Sequence, residues 1–429
     1  MFGDKHLIVV DLGFGDAGKG ATVDWLCSAE ADLGVAAVVR FNGGAQAAHN
    51  VVVGGRHHTF QQFGAGTLSG VPTFLSRHML VEPIRLAGEA RELAALGVRD
   101  PLSLLTVDAD ALLTTPIHGA ANRCREDARG AARHGSCGIG IGETAAYALD
   151  HPTDAPRVGD CLRPEALRRK LIELAEHYRP LLAGGAHGYP PIADLVEMYR
   201  EFGRAVRIGP GTALAGFAAA GRLVFEGAQG VLLDEWRGLH PYTTWSTVEP
   251  RNARALLAEI GAAGAVLGVT RAYQTRHGAG PFPTEDPALR IPEPHNGTGR
   301  YQGAFRRGHL DPILLRYAVA ACAGIDGLVV NHLDALATEP GLRLATAYRT
   351  AAGELTRIPY GPWCDLTHQQ HLTDLLTTAT PILTDLPTDL PAELDRALGA
   401  PVVLTAAGPD RADRQVRHPI HAGLLAAVR

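Results

Sequence analysis

The segment Asp11-Leu12-Gly13-Phe14-Gly15-Asp16-Ala17-Gly18-Lys19-Gly20-Ala21 has the residue types and spacing of a phosphate site. Its glycines let backbone N–H groups turn toward an anion, and a helix opening behind them adds its partial positive charge. Gly13, Gly18 and Lys19 satisfy G-x4-G-K, but Gly20 stands where a phosphate loop carries Ser or Thr for magnesium. Asp16 offers a carboxylate instead, and Mg²⁺ prefers oxygen. Lysine is scarce, occurring only as Lys5, Lys19 and Lys170, so its presence in this loop argues for a function.

Two further groups follow strand-like runs. His49 ends Phe41-Asn42-Gly43-Gly44-Ala45-Gln46-Ala47-Ala48-His49, a glycine-rich stretch of the kind where catalytic groups gather. A histidine there can protonate or hydrogen-bond a reacting oxygen near neutral pH. Asn331-His332-Leu333-Asp334 places a carboxylate after a buried run, where it can accept from the N1–H and exocyclic amine of guanine. Gly408-Pro409-Asp410-Arg411 reads as a tight turn or as a lid over that base.

These groups need strands to hold them. Apolar runs recur at Leu7–Val10, Ala36–Arg40, Leu104–Val107, Leu223–Glu226, Ala265–Thr270, Gly327–Asn331 and Val402–Ala406. Helical patterns at Thr22–Cys27, Ile84–Leu96, Pro164–His187, Pro250–Ala262 and Pro312–Ala323 lie between several of them. The alternation predicts an α/β fold with a large, mostly parallel sheet flanked by helices, its site loops at the carboxyl ends of the strands. Residues 179–191 and 280–299 read as loops, and His57-His58 as a loop pair.

Composition narrows the class. With 46% hydrophobic and 20% charged residues the chain reads as globular. A net charge of −5 without an arginine-rich run gives no reason to expect nucleic acid. No apolar run reaches the ~18 residues of a membrane span. The six cysteines show no metal spacing and read as reduced thiols, so a cytoplasmic protein is expected.

At this point the motifs match a family. GDAGKG at 15–20, GG-x4-H ending at His49, FEGAQGVLLD at 225–234, HPYTT at 240–244, RAYQTRHGAGPFPTE at 271–285, TGR at 298–300, RRGHLD at 306–311, NHLD at 331–334 and GPDR at 408–411 follow in order. The chain resembles adenylosuccinate synthetase, the GTP-dependent ligase that joins L-aspartate to inosine monophosphate. The resemblance runs from about residue 7 to about 415 and implies a P-loop-like GTP-binding ligase fold. One domain over 1–429, with inserted helical subdomains, is expected.

The resemblance implies roles. Asp16 would take the N1 proton of a 6-oxopurine and hold Mg²⁺ together with the carbonyl of Ala48. Lys19, with Gly15, Gly18 and Gly20, would hold the phosphates of GTP, and His49 would hydrogen-bond O6. His332, Asp334, Gly408 and Pro409 would meet the guanine. Gln46, Cys137, Gln229 and Thr244 fall on acceptor-nucleotide positions; Thr298, Arg300 and Arg306 fall in the loop that would grip aspartate. A homodimer is implied.

Departures concentrate around the acceptor. Cys137 stands for a phosphate-contacting threonine, Ile139 for an arginine and Gln46 for an asparagine, and no arginine is evident at 150–156. The expected pocket is therefore poor in positive charge. The acceptor is either inosine monophosphate or an analogue: a paralogue acting on another 6-oxo heterocycle, or with another amine, stays open. A GTP-binding switch without ligase activity needs neither Asp16 nor His49, and Asp334 disfavours an ATP-using kinase.

Overall fold

The computed structural model describes residues 3, 5–130, 135–297 and 303–418. Along the first half of the chain run β1 (His6–Asp11), β2 (Val35–Arg40), β3 (His49–Val53), β4 (Arg56–Phe60), β5 (Thr73–Leu75), β6 (Leu80–Val81), β7 (Leu105–Asp108), β8 (Leu112–Leu113) and β9 (Arg207–Gly209). The second half adds β10 (Arg222–Gly230), β11 (Gly264–Arg271), β12 (Gln274–His277), β13 (Phe305–Gly308), β14 (Gly327–Asn331), β15 (Arg343–Thr350), β16 (Gly353–Leu355), β17 (Thr380–Asp385), β18 (Val402–Ala406) and β19 (Arg414–Val416). Helices α1 (Lys19–Leu26), α2 (Pro83–Ala95), α3 (Pro116–Arg129), α4 (Ile141–Asp150), α5 (Pro164–Leu182) and α6 (Ile192–Ala205) precede β9. After it come α7 (Ala213–Ala220), α8 (Arg251–Glu259), α9 (Pro312–Ala321), α10 (Ala335–Thr338), α11 (Leu366–Thr378) and α12 (Leu390–Leu398).

Ten strands form the main sheet in the order β19-β18-β14-β11-β1-β10-β2-β5-β7-β9. Every neighbouring pair is parallel except β18 with β19. The runs are apolar throughout because both faces of the sheet are covered. In β1, Leu7 and Val9 enter one core while Ile8 and Val10 enter the other, the alternation a strand imposes. Helices α3 to α6 pack on one another between β8 and β9. Parallel pairing brings the carboxyl ends of β1, β2, β10, β11, β14 and β18 to one edge.

Three expectations shift. The first helix begins at Lys19 rather than Thr22, because Gly18 at φ 86 turns the chain directly into it. The 164–187 pattern ends at Leu182. His57 and His58 lie in β4, paired with Val52 and Val51 of β3, so they belong to a hairpin and not to its loop.

Candidate active site

Asp11 ends β1 fully buried and folds the glycine loop back on itself. Its Oδ1 accepts the Gly13 N–H at 2.8 Å and its Oδ2 the Ala17 N–H at 2.9 Å. Lys19 Nζ lies 3.4 Å from the same Oδ2 and donates to the Gln229 carbonyl at 2.7 Å. Asn331 Nδ2, at the end of β14, donates to the Ala17 carbonyl at 2.7 Å. A Cβ on Gly18 would stand 2.7 Å from that nitrogen, so only glycine fits. Arg271, ending β11, donates to the Asp16 carbonyl at 2.9 Å and is itself held by Glu293 and Tyr273. Asp16 sits at φ 61, a conformation this clamp maintains. Burial pushes its carboxyl above the usual range; His277, Arg271 and Lys19 oppose that shift, and Asp11 adds to it.

His49 opens β3. Its Nδ1 is 2.6 Å from Glu226 Oε1 in β10, and Glu226 Oε2 accepts the Ala65 N–H at 2.9 Å. Burial holds the imidazole down to about 4, against the pull of Glu226. Near neutral pH the ring is therefore uncharged. It donates Nδ1–H to the carboxylate and leaves Nε2 for a ligand. A Cβ on Gly20 would lie 2.5 Å from His49 Cβ. The hydroxyl residue missing from the phosphate loop thus has a steric reason: a side chain there would displace the histidine.

In the segment before His49 and at the end of β10, Gln46 Oε1 and Nε2 and Gln229 Oε1 are buried with no partner among the described residues. The half-buried Thr244 donates its N–H to Leu233 O at 2.8 Å. Ile141, the first residue of α4, packs on Gly44, whose Cβ would stand 2.7 Å from Ile141 Cδ1. The exposed Cys137 therefore belongs to a loop that adjoins the His49 segment. That loop is not bare of charge. Arg123 of α3 donates to the Gly138 carbonyl at 3.1 Å, and the Arg85 charge of α2 acts on Cys137. Helices distant in sequence thus bring arginines near this loop, which helical periodicity gave no sign of.

At the carboxyl ends of two neighbouring strands, Asp334 is exposed just beyond β14, and Gly408 and Pro409 follow β18. The Leu333 N–H donates to Ala406 O at 3.0 Å, tying the two segments together. His332 turns at φ 57 against Tyr273, and burial, with Arg271 and Arg414, holds its imidazole uncharged.

Thr298 and Arg300 lie outside the described residues. Arg306, in β13, is committed to the protein itself. It pairs with Glu285 through Nε at 2.9 Å and Nη2 at 2.5 Å, and its Nη1 donates to Gly278 O at 3.0 Å and Gly280 O at 2.9 Å. It shapes the loop instead of offering a free fork. His277, ending β12, places Nε2 3.5 Å from Asp16 Oδ2. His57 of the β3–β4 hairpin stacks on His295, ring centroids 4.3 Å apart.

Around this loop Gln46, Gln229, Arg271, Gln274, His277 and Asn331 each present a buried polar atom with no partner among the described residues. Buried polar groups are normally paired, so this concentration marks where a polar ligand lies. Among the described residues no three His, Cys, Asp or Glu side chains group as a metal cage. By donor chemistry, the Asp16 carboxylate and the carbonyl of the exposed residue Ala48 fit the sparse oxygen set Mg²⁺ takes when phosphates supply its other ligands. Asp11, Glu226, Arg271, Asn331 and His277 carry no functional role assigned from sequence alone. The available signal was a charged or polar residue closing or interrupting an apolar run, as in Leu7–Asp11 and Ala265–Arg271.

Comparison with known proteins gives the family and the fold. The family model for adenylosuccinate synthetase matches residues 8–414. Adenylosuccinate synthetase of Neisseria gonorrhoeae is 32% identical over 453 aligned positions, covering 96% of this chain and 99% of the relative. That of Neisseria meningitidis is also 32% identical, covering 96% and 98%. The fully ligated Plasmodium falciparum adenylosuccinate synthetase superposes with a TM-score of 0.79 at 20% identity, covering 96% of this chain and all of that one. The cyanophage S-2L succinoaminodeoxyadenylate synthetase PurZ, bound to dGMP and dATP as an energy donor, gives 0.61 at 17% identity, with both chains fully covered.

Proposed function

Because the chain belongs to the adenylosuccinate synthetase family, we propose that it is a GTP-dependent C–N ligase joining L-aspartate to the 6-oxo carbon of a purine nucleotide, inosine monophosphate or an analogue. The observation that carries this reading is the meeting of three groups at one edge of the sheet: the Asp16–Lys19 loop, His49 backed by Glu226, and unpaired buried amides between them.

The Asp16 carboxylate takes the N1 proton, and an O6 lone pair bonds the γ-phosphorus of GTP while the bond to the β-phosphate oxygen breaks, releasing GDP. The aspartate amine then bonds C6 and the C6–O6 bond breaks; the amine nitrogen gives up one N–H proton, which the departing inorganic phosphate takes. Lys19 offsets charge on the moving phosphoryl group, and His49 holds O6 through Nε2. Glu226 fixes the tautomer of His49 and supports any charge it gains. When bound, Mg²⁺ on Asp16 and the Ala48 carbonyl would neutralise phosphate charge. Asp334, beside Gly408 and Pro409, reads guanine; Gln46, Gln229, Thr244 and the Cys137 loop hold the acceptor; Thr298 and Arg300 grip aspartate. The protein works as a cytoplasmic homodimer.

The test incubates the enzyme with GTP, Mg²⁺ and L-aspartate across 6-oxopurine nucleotides and nucleosides, reading the succinyl adduct by mass. No adduct with any acceptor overturns the reading. ATP in place of GTP is expected to support far less turnover, and Asp334→Asn to narrow that preference. Equal use of both nucleotides by the unmodified enzyme removes Asp334 from guanine recognition.

A further inference from the structure

We infer that His277 is a positioning residue for Asp16 through one ring nitrogen, and that its other ring nitrogen receives an N–H of the incoming amine; the inference rests on the ligase reading above. The geometry of the ring carries it. His277 Nε2 lies 3.5 Å from Asp16 Oδ2 and 3.4 Å from Asn296 Oδ1. A carboxylate only accepts, and the amide oxygen is also an acceptor, so both neighbours call for the proton on Nε2. Nδ1 then keeps its lone pair. It is buried, and no group among the described residues meets it.

The ring is not free to turn this nitrogen elsewhere. His277 faces Phe305 across the β12–β13 register, and the two rings pack edge to face with centroids 4.7 Å apart. The Asp16 backbone is fixed in turn by the Arg271 clamp. One nitrogen therefore aims the carboxylate, while the other is an acceptor waiting for a donor.

The reaction names that donor. At the reacting carbon, N1 is met by Asp16 and O6 by His49. The polar atom left over is the nitrogen of the amino acid, which brings N–H bonds and needs an acceptor as it approaches C6. His277 stands beside Asp16 and against Asn296, which precedes Thr298 by two positions in the sequence.

Three substitutions separate the two roles. His277→Val removes both contacts, and is expected to lower kcat and raise the KM for aspartate, each by about tenfold or more. Glutamine places a donor near the Nε2 position; asparagine places an acceptor near Nδ1. His277→Gln should recover much of the lost kcat while the aspartate KM stays high. His277→Asn should recover the aspartate KM while kcat stays low. The KM for GTP should not follow either change, and circular dichroism should show the same fold throughout. If the unmodified protein ligates and the three variants lose kcat together without the split in KM, or if His277→Val keeps both constants, this inference is overturned alone. If the unmodified protein ligates no acceptor, the ligase reading falls and takes this inference with it.

Discussion

Gly20 shows a missing side chain serving a mechanism. Its hydrogen leaves the space in which His49 reaches the phosphate loop, because a Cβ there would lie 2.5 Å from that of His49. Gly20→Ser restores the hydroxyl usual in phosphate loops, yet we expect it to cut turnover by about 100-fold or more by pushing His49 off O6. A steady-state rate near that of the unmodified enzyme would show that the site tolerates the shift. Asp16→Asn and His49→Ala should each cost about 10²–10⁴-fold in kcat with the far-ultraviolet spectrum unchanged. Near-normal ligation by either variant contradicts the roles given to these two groups.

At the level of strands and helices, the parallel sheet was legible because strands covered on both faces are continuously apolar. β14 and β18 appear at the predicted residues, Gly327–Asn331 and Val402–Ala406. The β12–β13 ribbon and the β15–β17 sheet were not, since Gln274–His277 and Phe305–Gly308 are polar strands held by their partners and not by an apolar pattern. The same holds within the site. Asp16, Lys19 and His49 lie in glycine-rich motifs, whereas His277 and Arg123 acquire their neighbours only through long-range folding. The cap of α3 gives an element its own pH response. The Thr115 N–H donates to His118 Nδ1 at 3.1 Å, and burial holds this imidazole down to about 3 from 6.5. As pH falls below 6.5, the unfolded chain binds a proton that the folded cap refuses, so stability declines toward pH 3. His118→Gln keeps an acceptor at the capping position, and should flatten the decline by up to about 1.4 kcal/mol per pH unit in urea titrations. An unchanged slope would mean that His118 titrates freely in the folded protein.

Over the whole molecule, one edge of a ten-stranded sheet gathers groups from β1, β2, β10, β11, β14 and β18. Ligand binding at that edge is therefore linked to stability of the entire sheet. GTP at about 100 times its Kd should add about 2.7 kcal/mol and raise the melting temperature, and ATP at the same concentration should add much less. Equal shifts would place the nucleotide selectivity outside binding. The stacked His57–His295 pair has a kinetic consequence. We predict that this contact parts when substrates exchange, so that a diffusive motion against solvent contributes to turnover. Turnover should slow in proportion to added microviscogen, and His57→Ala should weaken that dependence.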